Sequence, residues 1–200
     1  DRVDHEVLKS LQCRMDDVLC GRYVYDRGEE RLRLAEDSRK YVKINYASSG
    51  QQETVWIFNL LYYYLLERRK VFLIVEELEA HLFPEAQKKI AEALGIFGNG
   101  GNEVFVTTHS PYILGAFNNL LYASRVPKAV MKEFSFCEET FLFREKTSVW
   151  HICRGKLEDG LYEGFVRNEL IDEASDQINA ELDRMIEARL NSEEQDDGCE

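Results

Sequence analysis

The sequence predicts an α/β fold built on a parallel sheet with helices on its faces. Three observations carry this. Residues 71–75 (Val-Phe-Leu-Ile-Val) are wholly apolar and rich in β-branched side chains, the composition of a strand buried on both faces. A second strand-like run, residues 103–107, follows a helix that Pro84 starts. Residues 52–118 therefore read α-β-α-β-α, an order that folds as parallel strands with helical crossovers. Two hundred residues make one ordinary domain or one large lobe, and 44% apolar residues suffice for a core without staples.

Residues 3–20 form the first expected helix, with Val7, Leu8, Leu11, Met15, Val18 and Leu19 on one side and Gly21 as its stop. Residues 22–25 and 31–34 flank Asp26-Arg27-Gly28-Glu29 as a hairpin. Residues 41–45 alternate like a strand. Residues 55–66 are apolar nearly all round and are expected as a buried helix, with Arg68-Arg69-Lys70 complementing its dipole. The strand at 71–75 is expected to be central. Pro84 opens the next helix and Gly95 is its natural stop. Ser110 and Pro111 are good N-cap and N1 residues for a further helix. Residues 141–144 and 149–154 are expected to close as a hairpin. Residues 165–190 repeat apolar positions every four residues, which predicts a long amphipathic helix, and residues 191–200 read as a disordered acidic tail.

The net charge of −12 is uneven. Residues 157–200 hold 15 acidic and 3 basic residues, whereas residues 1–156 hold 22 of each. Without a basic stripe, non-specific nucleic-acid binding by this chain is disfavoured. Five cysteines occur without C-x-x-C or zinc spacing, so they are expected to pack inside a protein of the reducing cytoplasm. The longest apolar run is too short to span a bilayer. The chain begins at Asp1 rather than Met, as expected of a piece whose N-terminal part lies elsewhere.

Ligands of open parallel sheets gather at the carboxyl ends of the strands. Glu76-Glu77 ends one expected strand and Thr108-His109 the next. Two adjacent carboxylates there could hold a hard cation and position a water, and His109 could touch the same phosphate or water. Ser48-Ser49-Gly50 opens a helix whose first amides favour an anion. Each piece has a plain alternative. A glutamate pair after a strand is commonly a solvated turn, Ser-Ser-Gly commonly a cap, and a lone histidine commonly a turn residue. His81 and His151 read as structural, His5 as surface, and Tyr62-Tyr63-Tyr64 as core rather than a base-stacking platform. The order and spacing of the three segments together shift the balance.

As an ordered set these segments resemble the C-terminal lobe of an ABC-type ATPase head. The similar branch contains the structural-maintenance-of-chromosomes (SMC) proteins, RecF-like repair ATPases and the overcoming-lysogenization-defect family, and within it the compact ATPases of bacterial anti-phage systems. Ala47-Ser48-Ser49-Gly50-Gln51 resembles the signature motif LSGGQ. Residues 71–77 resemble Walker B, residues 77–84 resemble E-x-E-x-H-L-x-P around the D-loop, and Thr107-Thr108-His109-Ser110-Pro111 resembles the switch-histidine segment. The resemblance covers residues 41–118. It implies a P-loop NTPase-type fold with ATP and Mg²⁺ as cofactors. Glu76 would support the metal, Glu77 would orient or deprotonate the attacking water, and His109 would contact the γ-phosphate. Ser48, Ser49, Gly50 and Gln51 would bind the nucleotide held mainly by a second head, making a homodimer around ATP. Glu76 stands where the family more often has Asp, and Ser49 where it has Gly.

No G-x-x-x-x-G-K-[ST] occurs in the chain. The P-loop would then come from an N-terminal lobe, and this chain alone would not hydrolyse ATP. The expected organisation is a lobe over residues 1–156, an acidic helical extension over 157–190 and the tail. An effector nuclease is a further expected partner; nucleic acid is expected only through other parts, and a membrane not at all. Two other readings compete. One is a metal-dependent nuclease using Glu76, Glu77 and Glu79. The other is a vestigial ATPase lobe that docks a partner through its C-terminal segment.

Overall fold

In the computed structural model, helix α1 (His5–Leu19) buries Leu11, Met15 and Leu19 along one side. The structure describes residues 5–35, 37, 39–131, 134, 137–167, 180, 184 and 185. Helix α1 ends at Leu19, and Cys20, at a φ of 50°, turns the chain left-handed where Gly21 is the expected stop. Gly21 instead opens strand β1 (Gly21–Asp26), where a Cβ would lie 2.3 Å from the Arg33 carbonyl oxygen. Strand β2 (Glu29–Leu34) returns antiparallel through Arg27 and Gly28, both at positive φ, the backbone that a two-residue hairpin turn requires. Strand β3 (Tyr41–Lys43) adds to β2 antiparallel and is shorter than expected. Ile44 is drawn into the core by a 3₁₀ turn over Ile44–Tyr46.

Helix α2 (Ser49–Glu67) buries Val55, Phe58 and Leu61 but leaves Trp56, Leu60, Tyr63 and Leu66 exposed. It is one-sided, not the all-round buried helix expected, because its neighbours among the described residues lie on one flank. The basic residues come after its end, with Arg68 as a left-handed C-cap, so none stands in the last turn. Tyr62 is partly buried and its hydroxyl donates to the Leu8 carbonyl at 2.8 Å.

Strands β4 (Phe72–Val75) and β5 (Glu103–Val106) pair in parallel, Phe72 opposite Glu103 through Val75 opposite Val106. Leu73, Val75, Val104 and Val106 pack on the core. Their alternates Phe72, Ile74 and Phe105 are 60%, 56% and 49% exposed. Among the described residues β4 has one partner strand, so it is not central there. Helix α3 (Pro84–Asn99) runs through Gly95 rather than stopping. A Cβ at Gly95 would sit 2.3 Å from the Thr140 carbonyl oxygen, so glycine serves close packing here and not helix termination. Between α1 and α3, the buried Arg14 Nε stands 2.9 Å from Glu92 Oε2. Helix α4 (Pro111–Ala123) starts as expected, with Ser110 Oγ accepting from the amides of Tyr112 and Ile113. A short α5 (Lys128–Met131) follows.

The closing hairpin differs from expectation. Strand β6 (Trp150–Cys153) pairs with β7 (Lys156–Asp159) around Arg154-Gly155, again at positive φ, and not with residues 141–144. Phe141 is buried instead, and its carbonyl accepts from Asn99. Strands β8 (Leu161–Tyr162) and β9 (Phe165–Val166) form a last antiparallel pair, so residues 156–159, 161–162 and 165–166 are strands, not helix. The chain divides into the units Asp1–Val166 and Arg167–Glu200. Apart from those strands and residues 167, 180, 184 and 185, the expected C-terminal helix and the acidic tail lie outside the described residues. The architecture is α/β with a parallel strand pair and flanking helices. Cys13, Cys20, Cys137 and Cys153 are exposed, contrary to expectation. On α1 the core-facing positions are taken by Leu11, Met15 and Leu19. No helix among the described residues is long and apolar enough to cross a membrane.

Candidate functional site

The parallel register fixes where the chemistry can be. Strands β4 and β5 end side by side at Val75 and Val106, so the segments that follow them leave the sheet as neighbours. Four hydrogen bonds then join the two segments. The Glu77 amide donates to Thr107 Oγ1 at 3.0 Å, and the Leu78 amide to the Thr107 carbonyl at 3.3 Å. The Thr108 hydroxyl donates to Glu79 Oε2 at 2.6 Å, and the His109 amide to Glu79 Oε1 at 2.5 Å. Glu77 sits at a φ of 49°, a left-handed conformation uncommon outside glycine, and the bonds to Thr107 hold it there. Glu76, Glu77 and His109 are all exposed.

Glu76 and Glu77 line a cleft of about 520 Å³ between α2 and the loop after β4. Its α2 wall carries Glu53, Thr54, Trp56 and Ile57; its other side carries Leu78, Ala80 and Leu82. Trp56 is 73% exposed, and Thr54 Oγ1 is buried without a hydrogen-bond partner. His81, at a φ of 57°, turns its Nδ1 to Glu53 Oε1 at 3.0 Å and so ties the loop to α2.

Ser48 and Ser49 are exposed at the start of α2. Ser48 and Gln51 form a reciprocal capping box: Ser48 Oγ accepts from the Gln51 amide, and Gln51 Oε1 accepts from the Ser48 amide. The Gln51 amide group also donates to the Leu19 carbonyl at 2.9 Å, which engages its side chain at both ends. Gly50 is buried against the loop after β4. A Cβ there would meet the His81 carbonyl oxygen at 2.3 Å, so only glycine lets the helix start approach that loop so closely.

Glu76 and Glu77 are oxygen donors of the kind a hard cation takes. Among the described residues no group of three or more His, Cys, Asp and Glu could hold a metal unaided. A cation beside Glu76 and Glu77 would take its other ligands from phosphate and water, which suits Mg²⁺. Glu79, the third carboxylate of the metal-nuclease reading, has both oxygens accepting hydrogen bonds.

The sequence places Glu79 in the D-loop stretch, with a role of its own only as a metal ligand for a nuclease, and Thr107 and Thr108 in the switch-histidine segment with no individual role; Glu53 and Trp56 have no part in that reading. The hydroxyl pair at the end of β5 was the available signal, because a carboxylate two residues beyond the paired glutamates is within reach of the adjacent parallel strand end. His151 is half-buried with Nδ1 unpartnered, and His5 is exposed.

Residues 8–114, just over half the chain, match the family described as AAA ATPase domain. No curated protein matches the chain. A solved structure from work on the structural biochemistry of ATP-driven dimerization and DNA-stimulated activation of SMC ATPases aligns with a TM-score of 0.48. Its identity is 12%, over 85% of this chain and 94% of that one.

Proposed function

The chain belongs to the AAA ATPase domain family, and from that premise we propose that it supplies the signature, Walker B and switch-histidine segments of an ABC-type, SMC-like head that pairs around ATP and hydrolyses it. The observation that carries the reading is the joining of two parallel strand ends. It puts the Glu76-Glu77 segment and the His109 segment in one hydrogen-bonded unit beside an open cleft. Phosphoryl transfer asks for positioning and charge neutralisation more than for covalent chemistry; this unit would supply the positioning and the carboxylates for a cation that neutralises charge.

Glu76 would hold Mg²⁺, directly or through water. Bound Mg²⁺ would neutralise charge on the terminal phosphates. Glu77, exposed and fixed in backbone, would orient the attacking water and take its proton. The His109 ring would donate to the γ-phosphate; its amide is already given to Glu79. Ser48, Ser49 and the first amides of α2 would cap the γ-phosphate of a nucleotide held by the opposing head, with Gly50 and Gln51 fixing the helix start.

The β- and γ-phosphates need a P-loop, which we place in a separate lobe. Support comes from the uncovered face of β4 and β5. Parallel sheets are covered on both faces, yet Phe72, Ile74 and Phe105 stand open here. The resemblance of residues 41–118 supports a cytoplasmic setting in DNA repair or anti-phage defence, with effector or nucleic acid contacted through other parts.

The test is Glu77→Gln in the complete head. The variant should bind ATP, lose hydrolysis and accumulate as a dimer on size exclusion. A variant that stays monomeric with ATP while the wild type dimerises would remove Glu77 from the role.

A further inference from the structure

The strongest unassigned feature is Glu79. It lies between the proposed water-orienting Glu77 and the end of the loop, and neither of its oxygens is free. One accepts from the Thr108 hydroxyl at 2.6 Å, the other from the His109 amide at 2.5 Å. Thr108 is held in turn, since its Oγ1 accepts from the Ser110 amide at 3.0 Å. Ser110 Oγ donates to Gln87 Oε1 at 2.5 Å, and Gln87 Nε2 donates to the Leu82 carbonyl at 3.0 Å. The circuit runs from the loop after β4, through the segment after β5, into α3 and back to the loop.

We propose that Glu79 is the positioning residue of this site, a two-oxygen clamp that sets His109 relative to Glu77. This rests on the function proposed above. His109 is exposed, and no other hydrogen bond among the described residues holds its amide, so the backbone beneath its ring is oriented from Glu79. A carboxylate suits the task because it accepts two hydrogen bonds at once, and bonds to a charged acceptor are the strong ones. Glu77 is fixed separately, through Thr107 Oγ1. Without Glu79 the two segments would still meet at Thr107, but His109 would lose its reference to the loop. The clamp also spends the carboxylate's charge on two donors, which lowers its repulsion of a phosphate nearby.

Two measurements test this. The first is amide hydrogen exchange in the full chain. With a strong hydrogen bond removed, the His109 amide of Glu79→Ala should exchange about tenfold faster or more, beyond the change in other amides of the same segment that any lowered unfolding midpoint brings. Glu79→Gln, which keeps one acceptor oxygen, should recover part of the protection. Unchanged His109 exchange in Glu79→Ala overturns the clamp. The second is a double-mutant cycle in the complete head. Glu79→Ala should lower kcat about ten- to hundredfold at unchanged KM, the range expected for misplacing a reacting group. Combined with His109→Ala it should add nothing further, because Glu79 acts through His109. Fully additive losses overturn that route. No turnover by the wild-type head would refute the proposed function instead, and the exchange experiment would still judge the clamp.

Discussion

Replacing Gly50 by alanine should destabilise the chain, against the ordinary trend for glycine in a helix. The Cβ would stand 2.3 Å from the His81 carbonyl oxygen and 3.2 Å from its carbon, while ordinary contact begins near 3.4 Å. Either the first turn of α2 or the loop must retreat by about 1 Å. Neither side yields freely. The helix start is held by the Ser48–Gln51 box and by Gln51 on Leu19, and the loop by its own bonds from Ala80 to Glu77 and from Leu82 to Glu79. Overpacking of this kind costs about 1–3 kcal/mol, and the better helix propensity of alanine returns at most about 1 kcal/mol. With the middle of that cost, about 2 kcal/mol, and a return between none and about 1 kcal/mol, the net loss is about 1–2 kcal/mol, a fall in Tm of about 2–8 °C for a chain of this size. Gly98, near the end of α3, provides the control, because a Cβ there meets nothing within 4 Å. Gly98→Ala should leave Tm unchanged or raise it slightly. Paired thermal unfolding curves by circular dichroism decide the matter. A Gly50→Ala protein as stable as Gly98→Ala would refute the close approach of α2 to the loop.

Glu92→Ala should cost about 3–5 kcal/mol in urea unfolding, because it strands the buried Arg14 without its carboxylate; pairing it with Arg14→Met should recover most of that loss. Tyr23 is held neutral to about pH 12 by partial burial and then by its 2.7 Å bond to Glu30. The unfolded chain ionises first, near pH 10, so stability should decline as pH rises between the two values, and Tyr23→Phe should flatten that decline in pH-dependent unfolding. Ile74→Lys should leave the Tm of this chain within about 2 °C, since the side chain is 56% exposed. The same change should weaken capture of a P-loop-bearing lobe at least about tenfold in a binding titration, and undiminished capture would refute that use of the sheet face.

The parts of the fold written in short-range chemistry were legible. The Arg27-Gly28 turn, Pro84, the Ser110-Pro111 start and the β4 and β5 runs each act through local backbone preference, and the structure places them close to where the residues suggest. What failed depends on partners far along the chain. Gly95 looks like a stop until Thr140 packs onto it. Residues 149–154 looked like a mate for 141–144, but the positive-φ pair Arg154-Gly155 offers a nearer partner in 156–159. The apolar run at 55–66 suggested burial all round, because composition does not reveal on which side the neighbours stand. The strand ends that carry Glu76, Glu77 and His109 were legible from topology, whereas the Glu79 clamp required the register between two strands some thirty residues apart.

The alternation along β4 bears on how such a head would be completed. Val71, Leu73 and Val75 turn to the core, and Phe72, Ile74 and then Glu76 are exposed. Glu76 thus continues the series that the chain leaves uncovered. At Glu77 the positive φ breaks the alternation, and the amide is tied to Thr107. A lobe that covered Phe72 and Ile74 would therefore end beside Glu76, the carboxylate proposed for the cation. Its phosphate-binding loop could share that cation while the Glu77 amide stays tied to Thr107 Oγ1. Covering the sheet and completing the cation site would then be one event, so lobe docking and catalysis should fail together when Ile74 is charged. Truncation of Glu76 to Ala should instead spare docking and remove turnover alone.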